Sequence, residues 1–88
     1  MTHLSPDQMD PNKLPSIDVE KTAQNISKLR DMHGLTRSQL AHALGAATQT
    51  TVQHWEQGYR VPNVDYLVRL SALFRVPMDC IIATTKIS

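Results

Sequence analysis

The 88-residue chain contains only three glycines, Gly34, Gly45 and Gly58, and each falls at the end of a stretch whose apolar residues recur at steps of three and four. A helix closes readily on a residue that can take positive φ, which glycine does without steric cost, so the pattern predicts a chain cut into short helices. Val19, Ala23, Ile26, Leu29 and Met32 place one apolar stripe on a first helix that starts after the N-cap candidate Asp18 and ends at Gly34. Thr36 followed three residues later by Gln39 forms a capping box for a second helix, roughly Arg37 to Leu44, with Leu40, Ala41 and Leu44 on its buried side. Thr48 caps a third helix, about Gln49 to Gln57, in which Val52 and Trp55 face inward. Asn63 caps a fourth, whose apolar side is Val64, Leu67, Leu70, Leu73 and Phe74, and a last short helix is expected after Pro77, a residue suited to a first helical position. No alternating stretch is long enough to propose a sheet. The expected fold class is therefore all-α, with five helices.

A chain this short buries one compact core of modest size and has little room for an enclosed substrate pocket, which favours a binding module over an enzyme. No serine or cysteine stands with a histidine and an acid in a nucleophilic pattern, and there is no glycine-rich phosphate loop, so no catalytic residue is proposed. His33, His42 and His54 lie on different helices without an evident fourth ligand, which argues against a metal site, and nothing calls for a cofactor. Cys80, the single cysteine, excludes an intrachain disulfide; beside Ile81 and Ile82 it reads as a small buried apolar residue. The N-terminus has no positive region followed by an apolar run, and no stretch approaches the roughly 18 apolar residues of a membrane span, so a cytoplasmic location without membrane contact is expected.

The formal net charge of +1 hides an uneven distribution. Residues 1–18 carry Asp7, Asp10 and Asp18 against Lys13, whereas the remainder carries Lys21, Lys28, Arg30, Arg37, Arg60, Arg69, Arg75 and Lys86 against Glu20, Asp31, Glu56, Asp65 and Asp79. Residues 1–17, with Pro6, Pro11 and Pro15 and no sustained period, read as a flexible acidic tail, and 18–88 as the folded domain. An arm that grasps DNA would be basic, so the tail reads as tag-like or partner-binding. A mildly basic body suits a small module that touches a few phosphates.

The third helix carries the functional signal. With Val52 and Trp55 turned to the core, its first turn presents Gln49, Thr50 and Thr51 and its next presents Gln53 and His54, all uncharged hydrogen-bonders. Glutamine can pair bidentately with adenine in the major groove, and threonine can donate, accept or set its methyl on thymine. A helix exposed only for solubility would more often carry Glu and Lys. Protonation of His54 would strengthen a contact to phosphate or base.

Residues 25–83 resemble the helix-turn-helix family of phage Cro and repressor proteins and of bacterial Xre-like regulators. The resemblance rests on Ile26, Leu29 and Arg30; Gly34-Leu35-Thr36; Leu40-Ala41; Leu44-Gly45; Val52, Trp55-Glu56, Gly58, Arg60 and Pro62; and the series Leu67, Leu70, Phe74, Val76 and Asp79. It implies a compact five-helix lambda-repressor-like bundle and a sequence-specific, double-stranded DNA-binding transcriptional regulator, in this family most often a repressor that binds an inverted repeat as a homodimer. By position, it implies base reading by Gln49, Thr50, Thr51, Gln53 and His54. Phosphate contact falls to Arg37, Thr48 and Arg60, with Tyr59 flanking, and a structural ion pair to Arg30 and Glu56. One departure is the turn: Ala46, Ala47 and Thr48 stand where relatives usually have two residues, which would tilt the recognition helix and displace Gln49 as its first base reader more than Thr51 or Gln53.

No separate dimerisation domain is visible, so pairing is expected to use the fourth and fifth helices and the tail from Ala83 to Ser88, where Ile81, Ile82 and Ile87 would form an apolar patch. The rival reading is a protein-interaction module of antitoxin or co-activator type that reads no bases, which the acidic tail and low net charge keep open. A small-molecule substrate is not expected.

Overall fold

The computed structural model describes residues 14–45 and 47–85. Among them are α1 (Val19–Met32), α2 (Arg37–Leu44), α3 (Gln49–Glu56) and α4 (Val64–Phe74), followed by one 3-10 turn, Met78–Cys80. The fold is all-α with four helices, and the expected fifth is that single turn. Its shortness has a local cause. After the turn, Ile81 drops into the core and the chain runs back along the start of α1 in extended form. Ala83 donates its N–H to the buried Thr22 hydroxyl (3.0 Å) and accepts from the Asp18 N–H (2.8 Å), while Ile17 and Thr84 form an antiparallel bridge. These bonds take the backbone groups a fifth helix would need.

All four helix starts are capped as the side chains predict. Asp18, Thr36, Thr48 and Asn63 each accept from the N–H three residues on, and Gln39 returns the bond to the Thr36 N–H to complete the capping box. Gly34, Gly45 and Gly58 take φ of 65°, 93° and 76°, the left-handed side that a β-carbon resists. α3 stops at Glu56, with Gln57 as its C-cap, one residue earlier than expected. α4 has no glycine to close on: Arg75 itself turns left-handed at φ 57°, and Ser71 holds the end by bonding to Val76.

The core is built from Ile26 of α1, Leu40, Ala41 and Leu44 of α2, Val52 and Trp55 of α3, Leu67, Leu70 and Phe74 of α4, and Ile81. α2 packs on α3, α3 on α1 and α2 on α4, so α3 is held along its inner side chiefly by the two helices that precede it, α1 and α2. Trp55 meets the Tyr66 ring of α4 at 5.1 Å between centroids, and Arg69 of α4 donates to the Leu44 carbonyl (2.9 Å), closing the C-terminal end of α2.

Several expected burials are corrected. Val19, Met32 and Val64, placed on apolar stripes, are exposed; each stands in the first or last turn of its helix, at the margin of the core. Cys80 is exposed, since Ile81 takes the core position and a 3-10 turn rotates its predecessor outward. Burial of Ile81 also removes it from the expected apolar patch, while Ile87 lies outside the described residues. Of the acidic tail, residues 1–13 lie outside the described residues, whereas Ser16 and Ile17 are bound to Thr85 and Thr84 and so join the folded unit. No described helix is long and apolar enough to cross a membrane.

Candidate nucleic-acid interface

The inner side of α3 is fixed by more than apolar contact. The Glu56 side chain is only 2 % exposed and receives a two-pronged bond from Arg30, Nε to Oε2 at 2.6 Å and Nη2 to Oε1 at 2.9 Å. This is the ion pair expected between the first and third helices. Arg30 Nη1 donates in addition to the Leu35 carbonyl (2.8 Å), so one guanidinium ties α1 to α3 and to the loop before α2. Burial alone would push the Glu56 carboxyl up; the hydrogen bonds and charges of Arg30 and Arg37 outweigh it and hold its pKa below the ordinary carboxylate value. The hydrogen bonds that Arg30 donates to Glu56 likewise hold its guanidinium above its ordinary value.

Arg37, expected to contact phosphate, also donates its Nε to Glu56 Oε1 at 3.3 Å. With 39 % of its side chain exposed, it is anchored at one edge and open at the other. An arginine held this way has less rotamer freedom to lose on meeting a phosphate than a free one. The capping box occupies the N–H groups of Thr36 and Gln39, and those of Arg37 and Ser38, the first two in the helix, have no acceptor within it.

At 100° per residue, Val52, Trp55 and Glu56 take the inner arc of α3 and leave Thr50, Gln53, His54 and Gln57 on the outer one, with Gln49 and Thr51 on the flanks. Gln49 and Thr50 are exposed; Gln53 and His54 are half-buried. Thr51 is also half-buried, and its hydroxyl lies 3.0 Å from that of Thr48, whose oxygen accepts the Thr51 N–H as well. The two threonine hydroxyls are thus committed to capping the helix before any ligand arrives. The His54 ring rests against Tyr59 at 5.8 Å between centroids, and the N–H groups of Tyr59 and Arg60 point back to the His54 carbonyl, fixing the loop to the end of the helix. Tyr59 and Arg60 are exposed there.

Gln57 was missed as a member of this outer face, although its place four residues after Gln53 and three after His54 is a signal that helical spacing offers. The roles of Arg69 and of the Arg37–Glu56 contact had no such signal, because both depend on where distant helices meet. Between Thr36 and Arg60 the chain has one acidic residue, Glu56, and its charge is buried against two arginines. Within this stretch, α2, α3 and the following loop therefore contribute no exposed carboxylate beside Arg37 and Arg60; the exposed Glu20 of α1 lies by the C-terminal end of α3, next to Gln57 and Gly58.

Two helices joined through a glycine turn, the second with a polar outer face and the first braced behind it, define a helix-turn-helix. A family model described as helix-turn-helix matches residues 26–79. The chain belongs to that family, the Cro/C1-type, Xre-like helix-turn-helix proteins, which is a family of DNA-binding regulators. Neither the curated proteins nor the solved structures gave a match.

Proposed function

We propose that the protein is a sequence-specific transcriptional regulator, acting as a repressor, that binds an inverted-repeat operator in duplex DNA as a homodimer with α3 in the major groove. The observation that carries this reading is the composition of one face: amides, hydroxyls and an imidazole along the outer side of α3, arginines at its borders, and the one carboxylate that α2, α3 and their loops contribute buried. Base edges are recognised by such side chains, and exposed arginines at the borders of such a face attract phosphate. Gln49, Thr50, Gln53 and His54 read bases, with Thr51 contributing its methyl from the flank. Arg37 and Arg60 contact the backbone on either side, Thr48 and Tyr59 stand beside them, and Arg30 with Glu56 holds the helix at its angle. In this reading residues 18–88 are the binding domain, the site of action is the cytoplasm, and the protein acts by binding, without catalysis or cofactor.

Selection of tight binders from random duplex DNA tests the proposal. The expected product is an inverted repeat whose half-sites are separated by about 34 Å, one helical turn. A pool without enriched sequence would overturn base reading and leave the family fold serving a protein partner.

A further inference from the structure

α4 carries an apolar stripe on its outer side as well as its inner one, beside the exposed Arg69, whose guanidinium is turned to the Leu44 carbonyl. Leu67, Leu70 and Phe74 enter the core, while Val64, Val68 and Ala72, spaced by four residues, face outward, with Val64 72 % and Val68 48 % exposed. Asp65 in the first turn and Arg75 at the C-cap mark the two ends of this stripe, and neither side chain takes part in an ion pair or side-chain hydrogen bond among the described residues. We propose that this stripe is where a second copy of the chain docks, α4 against α4 in antiparallel fashion about a two-fold axis midway between Val68 and Ala72. The inference rests on the operator-reading homodimer proposed above and names its surface.

Register and charge select the occupant. When position 68 of one copy faces position 72 of the other, position 65 faces position 75, so a carboxylate meets a guanidinium at both ends of the stripe. A parallel pairing would set Asp65 against Asp65 and Arg75 against Arg75. The small Ala72 lets the two helices approach where Val68 enters. The C-terminal segment offers a smaller apolar surface among the described residues: Ile81 is in the core, Ile82 is half-buried, residues 83–85 are bonded to the start of the domain, and Met78 alone is an exposed large apolar side chain there. An 11-residue helix is about 16 Å long. Its stripe covers less than the roughly 800 Å² per partner of a standard interface. Pairing is consequently weak in free solution and is completed on DNA, where adjacent half-sites raise the effective concentration of the two copies.

Asp65→Arg, Arg75→Asp, the double exchange and an equimolar mixture of the two single variants test this in the full chain. Self-association is read by sedimentation at millimolar protein, and cooperativity by binding to duplexes that carry one or two copies of the selected half-site. Each single variant, still folded by circular dichroism, is expected to lose about tenfold or more in association, because like charges now meet at both ends. The double exchange and the mixture are expected to recover it, since both restore opposite charges. Single variants that associate like the parent, a mixture and double exchange that both fail to recover, or a parent that neither associates nor binds two half-sites cooperatively would each overturn the proposal. Failure of DNA reading registers separately, as absence of preference for the single half-site in the parent and every variant alike.

Discussion

The two sides of α3 differ in what they tolerate. On the inner side Val52, Trp55 and Glu56 are each enclosed by partners from other helices, and Glu56 has both oxygens occupied by arginines. On the outer side and its flank, Gln49, Thr50, Gln53 and His54 have no side-chain hydrogen bond among the described residues. Substitution inside changes whether the helix is held; substitution outside changes what it can hold on to. Eight residues thus carry two nearly independent sets of instructions, separated by helical period alone.

The comparison breaks most visibly at Glu56. Glu56→Ala leaves the largely covered Arg30 guanidinium with only the exposed Asp31 carboxylate and the Leu35 carbonyl; breaking a buried pair costs about 3–5 kcal/mol, and these remaining partners put the loss here at about 3 kcal/mol or less. Urea denaturation should show that loss, while a variant retaining wild-type stability would refute the bracing role. The same carboxylate predicts a pH dependence. Its pKa is lower folded than unfolded, so its contribution is complete above the unfolded carboxylate value and disappears as pH falls through the folded one. Stability of the parent should fall on acidification through this range, and Glu56→Gln should flatten that part of the profile.

How much of this was legible in sequence follows from the range of the forces involved. Asp18, Thr36, Thr48 and Asn63 cap helices through bonds spanning three residues, so residue type and spacing suffice to find them. The Arg30–Glu56 pair spans 26 residues and was found only through the family resemblance. What escaped depends on tertiary placement: Ile81 rather than Cys80 in the core, the Ser16–Thr85 and Ile17–Thr84 contacts that replace a fifth helix, and Arg69 on the Leu44 carbonyl. At the candidate site the outer residues were legible because they follow one period. The commitment of Thr48 and Thr51 to each other was not, because a hydroxyl has the same formula whether it caps or reads.

Outer-side substitutions sharpen the comparison with smaller effects. Gln53→Ala should reduce discrimination at one operator position by about 1–3 kcal/mol, measured as the ratio of affinities for selected and single-base-changed duplexes, with denaturation midpoint unchanged. If the ratio is intact, Gln53 does not read a base. Arg60→Ala should weaken binding to selected and random duplex alike and lower the slope of log affinity against log salt by about one. An effect confined to the selected sequence would instead make Arg60 a base reader.

The smallest expected effect lies at the end of α4. Arg75 carries a β-carbon in the left-handed region, where an L residue costs roughly 1–2 kcal/mol relative to its right-handed form. Glycine removes that cost but adds freedom to the unfolded chain, so Arg75→Gly should stabilise the dilute monomer by only about 0.5 kcal/mol, seen as a small rise in melting temperature. The same change deletes the cation set opposite Asp65 in the antiparallel pairing. A more stable monomer that associates less would show that arginine is kept at a strained position for what it meets outside the fold. A more stable monomer that associates as before would leave the α4 surface without its charge argument, and an unstable one would mean that the left-handed turn is held by the arginine side chain itself.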